Sequence, residues 1–173
     1  PNSNAKVSEM PTEEPLRLRI MKAICAKLDE IDGLASPVMR GVVPLDFKDR
    51  TPVIAISEDF QRMSSPSEQP LTSHLGKPRK VRVAVNVVGV TAKGHDMATE
   101  TDAATILLYR AIEKINEGRL NKEPGNLGAR RPFGFREVSE VHMGAGTAQS
   151  SNASDLPLPH FVLPIVIEFA ETF

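Results

Sequence analysis

Between Arg79 and Thr91 the chain alternates: Val81, Val83, Val85 and Val87 share one parity, Lys80, Arg82, Ala84 and Asn86 the other. Strand side chains point to opposite faces with a period of two, so this pattern predicts a long strand with one buried and one polar face. From Asp96 to Gly118 the period changes. Ala104, Leu107, Leu108, Ala111, Ile112 and Ile115 make an apolar helical stripe, with Asp96 placed to cap it and Gly118 to close it. Earlier in the chain Leu16, Ile20, Ile24, Leu28 and Ile31 form a second such stripe. Thr12 is its expected cap, Glu13 and Glu14 favour the first turn, and Gly33 ends it.

The shorter apolar runs predict further strands. Pro37–Leu45 and Pro52–Ser57 read as a pair joined by a polar hairpin loop at 46–50, and Val53–Ile56, apolar on both faces, belongs inside a sheet. Phe135–His142 is a less regular strand, because Val138 and Val141 do not share a parity. Phe161, Leu163, Ile165, Ile167 and Phe169 alternate cleanly, and Pro164 among them predicts an edge position or a bulge. Segments 58–78, 119–134 and 144–155 lack periodicity and read as long loops. The expected fold is α+β: one mixed or antiparallel sheet of about five strands, with two main helices packed on one face. An extended arm (1–14) precedes a single domain (15–173).

A length of 173 residues, with 40% apolar and 25% charged residues, suits one ordinary globular core. No apolar run is long enough to span a bilayer, so no membrane partner is expected. The polar, acidic start is unlike a secretory leader, and the single cysteine, Cys25, allows no internal disulfide and points to a reducing compartment. The net charge of −1 gives no overall steering, but the charges are segregated. Lys77, Arg79, Lys80, Arg82 and Lys93 cluster without an acid, and Arg119, Lys122, Arg130, Arg131 and Arg136 cluster against Glu123 alone. After them Glu137, Glu140, Asp155, Glu168 and Glu171 occur with no Lys or Arg. Two readings follow: solvated surface, or a basic face of one subunit meeting an acidic face of the next.

Candidate chemistry is sparse. His74, His95, His142 and His160 share no ligand spacing, so no metal site is expected. Cys25, with Lys22 and Lys27 nearby, could be an activated nucleophile, but its place beside an apolar stripe favours packing. Gly144-Ala145-Gly146 lacks the third glycine and the helix of a dinucleotide site, and there is no phosphate loop. No cofactor is expected. The carboxylates Asp46 and Asp49, or Asp29, Glu30 and Asp32, lie where solvated acids are common. The basic segment 119–136 could touch nucleic-acid phosphate, but a chain with no Trp and one tyrosine, Tyr109, lacks stacking platforms, so only non-specific contact with passing DNA is expected.

Several stretches together resemble the tail terminator (tail completion) proteins of long-tailed bacteriophages. They are the helix from Leu16-Arg17-Leu18-Arg19-Ile20 to Ile31, the strand start Met39-Arg40-Gly41, and Pro52-Val53-Ile54-Ala55-Ile56. The strand Arg82 to Gly89, the helical Thr105-Ile106-Leu107-Leu108 and the closing strand Leu163 to Phe169 complete the likeness. It covers most of residues 15–170 in element order, while the segments 58–78 and around Ser150 have no counterpart in it. The resemblance implies a structural virion protein at the neck junction, assembled in the host cytoplasm. It would form a hexameric ring that caps the tail tube, ends its polymerisation and joins the neck. The implied partners are further copies of itself, the tube protein, the neck connector and, in a contractile tail, the sheath protein; no catalysis is implied. Of the segregated charges, Arg79, Lys80, Arg82, Arg119, Lys122, Arg130, Arg131, Arg136, Glu137, Glu140, Asp155, Glu168 and Glu171 are the candidate subunit or partner interface. Three other readings stay open: a neck or head-completion connector, a small enzyme using Cys25 or a carboxylate pair, and a nucleic-acid-binding module.

Overall fold

The computed structural model describes residues 14–41, 50–58, 78–123, 125–152 and 156–172. The expected Thr12 cap, Asp46, Asp49, His74 and Asp155 lie outside these residues. The first helix, α1 (Leu16–Leu28), buries Ile20, Met21, Ile24, Cys25 and Leu28. It stops one turn before the expected end. Ile31 is still buried, but from a turn, and Gly33 takes a left-handed conformation (φ 86°) beyond it. Asp29 accepts a hydrogen bond from the Val38 backbone N–H at 2.5 Å, tying that turn to the approach of the first strand.

Strand β1 (Met39–Arg40) lies parallel to β2 (Val53–Glu58), with Met39 opposite Ala55 and Arg40 opposite Ile56. This overturns the expected hairpin, because a tight turn can join only antiparallel strands. β2 is buried on both faces from Val53 to Ile56, as its composition required. Strand β3 (Pro78–Val90) pairs antiparallel with β2 on one side and, over its whole length, with the last strand, β8 (His160–Thr172), on the other. The register sets Val83 opposite Ile167, Val85 opposite Ile165 and Val87 opposite Leu163. These side chains, with Ile54 and Ile56, form the core face on which α1 and α2 (Met97–Arg119) both pack.

The segment read as a basic loop is partly ordered structure. Strands β4 (Lys122–Glu123) and β5 (Asn126–Arg130) make a separate two-stranded ribbon, followed by a 3-10 turn at Pro132–Gly134. Gly118 does not end α2 but lies inside it, where a Cβ would stand 2.3 Å from the Phe133 ring. That glycine serves close packing rather than a cap. Phe133 itself holds a left-handed backbone (φ 52°), unusual for a bulky residue.

Along the far side of β8 run β6 (Val138–Met143) and then β7 (Thr147–Gln149), the latter inside the stretch read as structureless. A register shift between Val138 and Glu140 explains why Val138 and Val141 are both buried without sharing a parity. Pro164 lies in β8, which is interior to the sheet and not an edge. It falls opposite the break between β6 and β7, where its carbonyl accepts the Gly144 N–H at 2.8 Å. In a strand the N–H and C=O of one residue point the same way, so the donor that proline lacks would have met that break. Six strands thus form one mixed sheet with two helices on one face, an α+β fold.

Candidate functional site

On the polar face of the sheet the segregated charges of the sequence meet within one chain. Glu168 of β8 is 6% exposed, yet Lys80 Nζ lies 2.5 Å and Arg82 Nη2 2.8 Å from its carboxylate. The hydrogen bond from Lys80, reinforced by Arg82, holds the Glu168 carboxyl below the usual range. On β6 Glu140 lies 2.7 Å from His142, so the register partners Glu140 and Glu168 each have a neighbouring nitrogen. Arg79 and Glu171 are also register partners, at the end of the β3–β8 ladder. Two of the expected interface residues from the basic cluster thus take their carboxylate from the same subunit.

The second basic cluster is placed differently. Lys122 and Arg130 are directly opposite in the β4–β5 ribbon and both exposed, with no carboxylate partner among the described residues. Arg119 closes α2, its Nε buried without a hydrogen-bond partner. Arg131 lies at the start of the 3-10 turn, and Arg136 and Glu137 form the exposed approach to β6. The Glu137 carbonyl accepts the Ala170 N–H at 2.9 Å.

Cys25 is buried, and desolvation pushes its thiol up to about 11 despite the field of Arg40. A thiol so placed is protonated at neutral pH and poor as a nucleophile. Between the helices Lys27 reaches Glu30 (2.7 Å) and Glu117 (2.9 Å), and Lys114 reaches Glu30 (3.4 Å) and Glu117 (3.3 Å). This alternating square joins α1 to α2 at the surface, where such pairs contribute little and are screened by salt. Among the described residues no group of His, Cys, Asp and Glu is arranged to hold a metal ion.

Two features were not singled out in the sequence. The first is Glu100, in the opening turn of α2 and only 3% exposed. It accepts hydrogen bonds from the Ser151 N–H (2.9 Å), the Ser151 hydroxyl (2.8 Å) and the Gly94 N–H (3.1 Å). One carboxylate thereby ties the β3–α2 connection to the segment after β7. The Ser151 amide chiefly, then the Ser151 hydroxyl, the Gly94 amide and the charge of Lys93, hold its pKa below the ordinary value. A depressed carboxyl contributes fully above its unfolded pKa and loses that contribution as pH falls through the folded one. Acidification through the folded pKa of Glu100 is therefore expected to release Ser151 and Gly94. Their amide protection factors, taken against the intrinsic exchange rate at each pH, should fall at low pH in the native chain and be small at every pH in Glu100→Ala. Unchanged protection in Glu100→Ala would mean that the carboxylate does not hold this junction. The Thr99 amide, which Asp96 caps at 2.7 Å, reports the neighbouring acid separately.

The second is the outer face of α2. Among the described residues Met97, Ile106, Tyr109 and Leu120 are the large apolar side chains that stand exposed, and each lies in this helix or directly after it. Tyr109 is 66% exposed. A further hollow of about 690 Å3 lies between α1 and the β1–β2 edge, floored by Leu18, Met21 and Ile56. Arg17 pairs with Glu58 at its rim, with Nε 3.1 Å from the carboxylate.

No protein-family model matches the chain, and no curated protein matches it. Among solved structures it is similar to a chain described as "Cryo-EM Structure of an Extracellular Contractile Injection System, PVC sheath/tube terminator in extended state". The identity is 15% and the TM-score 0.48, with 90% of this chain and 56% of that one covered. The chain thus spans a little over half the length of that structure.

Proposed function

We propose that the chain is a structural tail-terminator subunit: copies form a ring, expected to be hexameric, that docks on the last ring of a tail tube. Occupying the growing face stops polymerisation, and the opposite face joins the neck or, in a contractile tail, the sheath. The action is geometric, with no bond made or broken. The observation that carries this reading is the order of apolar elements in the sequence, which resembles the bacteriophage terminator family over most of residues 15–170. An exposed apolar helix face and the exposed basic pair Lys122 and Arg130 on the same subunit support it, because both are surfaces that a partner would cover.

Electron microscopy of the purified chain, alone and with its cognate tail tubes, tests the reading. Rings, and tubes capped at one end that no longer elongate, are expected. A chain that leaves tubes uncapped and still growing overturns it, and binding to the connector alone would move the protein to the neck.

A further inference from the structure

Ile106 and Tyr109 lie on one line along α2, opposite the buried stripe of Leu107, Ala111 and Ile115. A hollow of about 310 Å3 beside Pro52, Ala103 and Leu107 flanks this ridge on one side. Another of about 550 Å3, beside Ile112 and Asn116, flanks it on the other. A ridge between grooves is a shape that accepts an element of another molecule. The ridge is bordered by Asp102 and Glu113, exposed and without ion-pair partners among the described residues; Arg110 stands at its margin. An occupant with apolar and basic groups fits it.

The chain carries such a surface. At the end of α2, Leu120 stands exposed beside Lys122 and Arg130. Like charges directly opposite in a ribbon are destabilising, and a two-stranded ribbon is marginal by itself. Acidic groups supplied from outside would relieve both. Within one chain the ridge acids lie back along the helix axis from Arg119, Glu113 by about 9 Å and Asp102 by about 25 Å, at about 1.5 Å per residue.

We infer that the ridge on α2 of one copy receives Leu120 and the Lys122–Arg130 ribbon of the next, with Asp102 and Glu113 facing the basic pair. The inference rests on the ring reading and names the surface that builds the ring. Two different patches meet, so the contact is head-to-tail, and it repeats from subunit to subunit until it closes. It also gives Lys122 and Arg130 a counter-charge, which Glu168 on β8 does not, being already held by Lys80 and Arg82.

Sedimentation analysis of the full chain, with Tyr109→Arg and Arg130→Glu variants, tests the contact. Both positions are exposed, so native circular dichroism and melting are expected in each variant. Each substitution alone should raise the apparent dissociation constant about tenfold or more, as at a central contact. Mixed, the two variants should recover a dimer and stop there. The Arg130→Glu chain still offers a ridge and the Tyr109→Arg chain still offers a ribbon. Oligomers unaffected by either variant, a mixture that recovers nothing, or a chain monomeric at every concentration would each overturn the contact. Tube capping is read separately: rings built through this contact that ignore tubes refute the terminator function alone, and capping by rings insensitive to both variants refutes the contact alone.

Discussion

Alanine at Gly89 is expected to lower the stability of the folded chain by about 2–3 kcal/mol, toward the upper end for overpacking a filled core. A Cβ there would stand 2.0 Å from Phe161 Cε1 and 2.7 Å from Cδ1 and Cζ. Neither side can yield easily. Phe161 is fully buried in β8 directly opposite Gly89, and Gly89 also faces Ile54 in β2. With strands fixed on both sides, the ring must leave its rotamer or the ladder must open. Chemical denaturation of Gly89→Ala alone and in a Phe161→Ala background measures this. Without the ring the added methyl should be neutral or mildly stabilising, because glycine is costly inside a strand. An equal loss in both backgrounds would mean that the ring contact is not the reason for glycine at this position.

Removing the ring of Phe169 should cost about 3–5 kcal/mol, the usual range for Phe→Ala in a core. Phe169 is 1% exposed and sits opposite Val81 of β3 on one side and Val138 of β6 on the other. The register shift in β6 follows immediately, so Phe169 fills the place where the edge strand changes parity. Phe169→Leu, which keeps most of the apolar volume, should lose less than half as much. The measurement is the denaturation midpoint at unchanged slope, which separates a stability change from a change in the unfolded chain. A loss below about 1 kcal/mol would place this end of β8 outside the cooperative core.

Elements with long, regular patterns were legible in the sequence. The Val81–Val87 alternation became β3, the 161–169 alternation became β8, and Asp96 caps α2 through the Thr99 N–H. Where the pattern was irregular, the irregularity was itself structural. The mismatched parity of Val138 and Val141 marks a bulge, and Pro164 marks the break between two strands. Short elements were missed for a different reason. β4, β5 and β7 have two to five residues each, too few to establish a period. Gly118 was misread because a glycine near a helix end usually caps it, whereas here Phe133, distant in sequence, presses on it.

The candidate interface was legible as charge but not as pairing. Composition separated the basic and acidic runs, yet nothing local could say that Lys80 and Arg82 face Glu168, which lies 86 positions beyond Arg82. The uncovered ridge was within reach of the sequence. Ile106 and Tyr109 lie opposite a stripe already identified as buried, and a helix apolar on two faces asks for a second partner.

By itself the sequence determined where the two helices and the long strands lie, which face of each is apolar, and that charge is sorted along the chain. Those properties are local: periodicity and end signals act over a few residues, wherever the rest of the chain lies. The tertiary structure alone decided that β1 runs parallel to β2, that β8 lies inside the sheet, that Glu100 joins two distant loops, and that Lys80 and Arg82 meet Glu168. Each of these depends on contacts between residues far apart in sequence. A pattern of period two or 3.6 says which way a side chain points, but not what it will meet there.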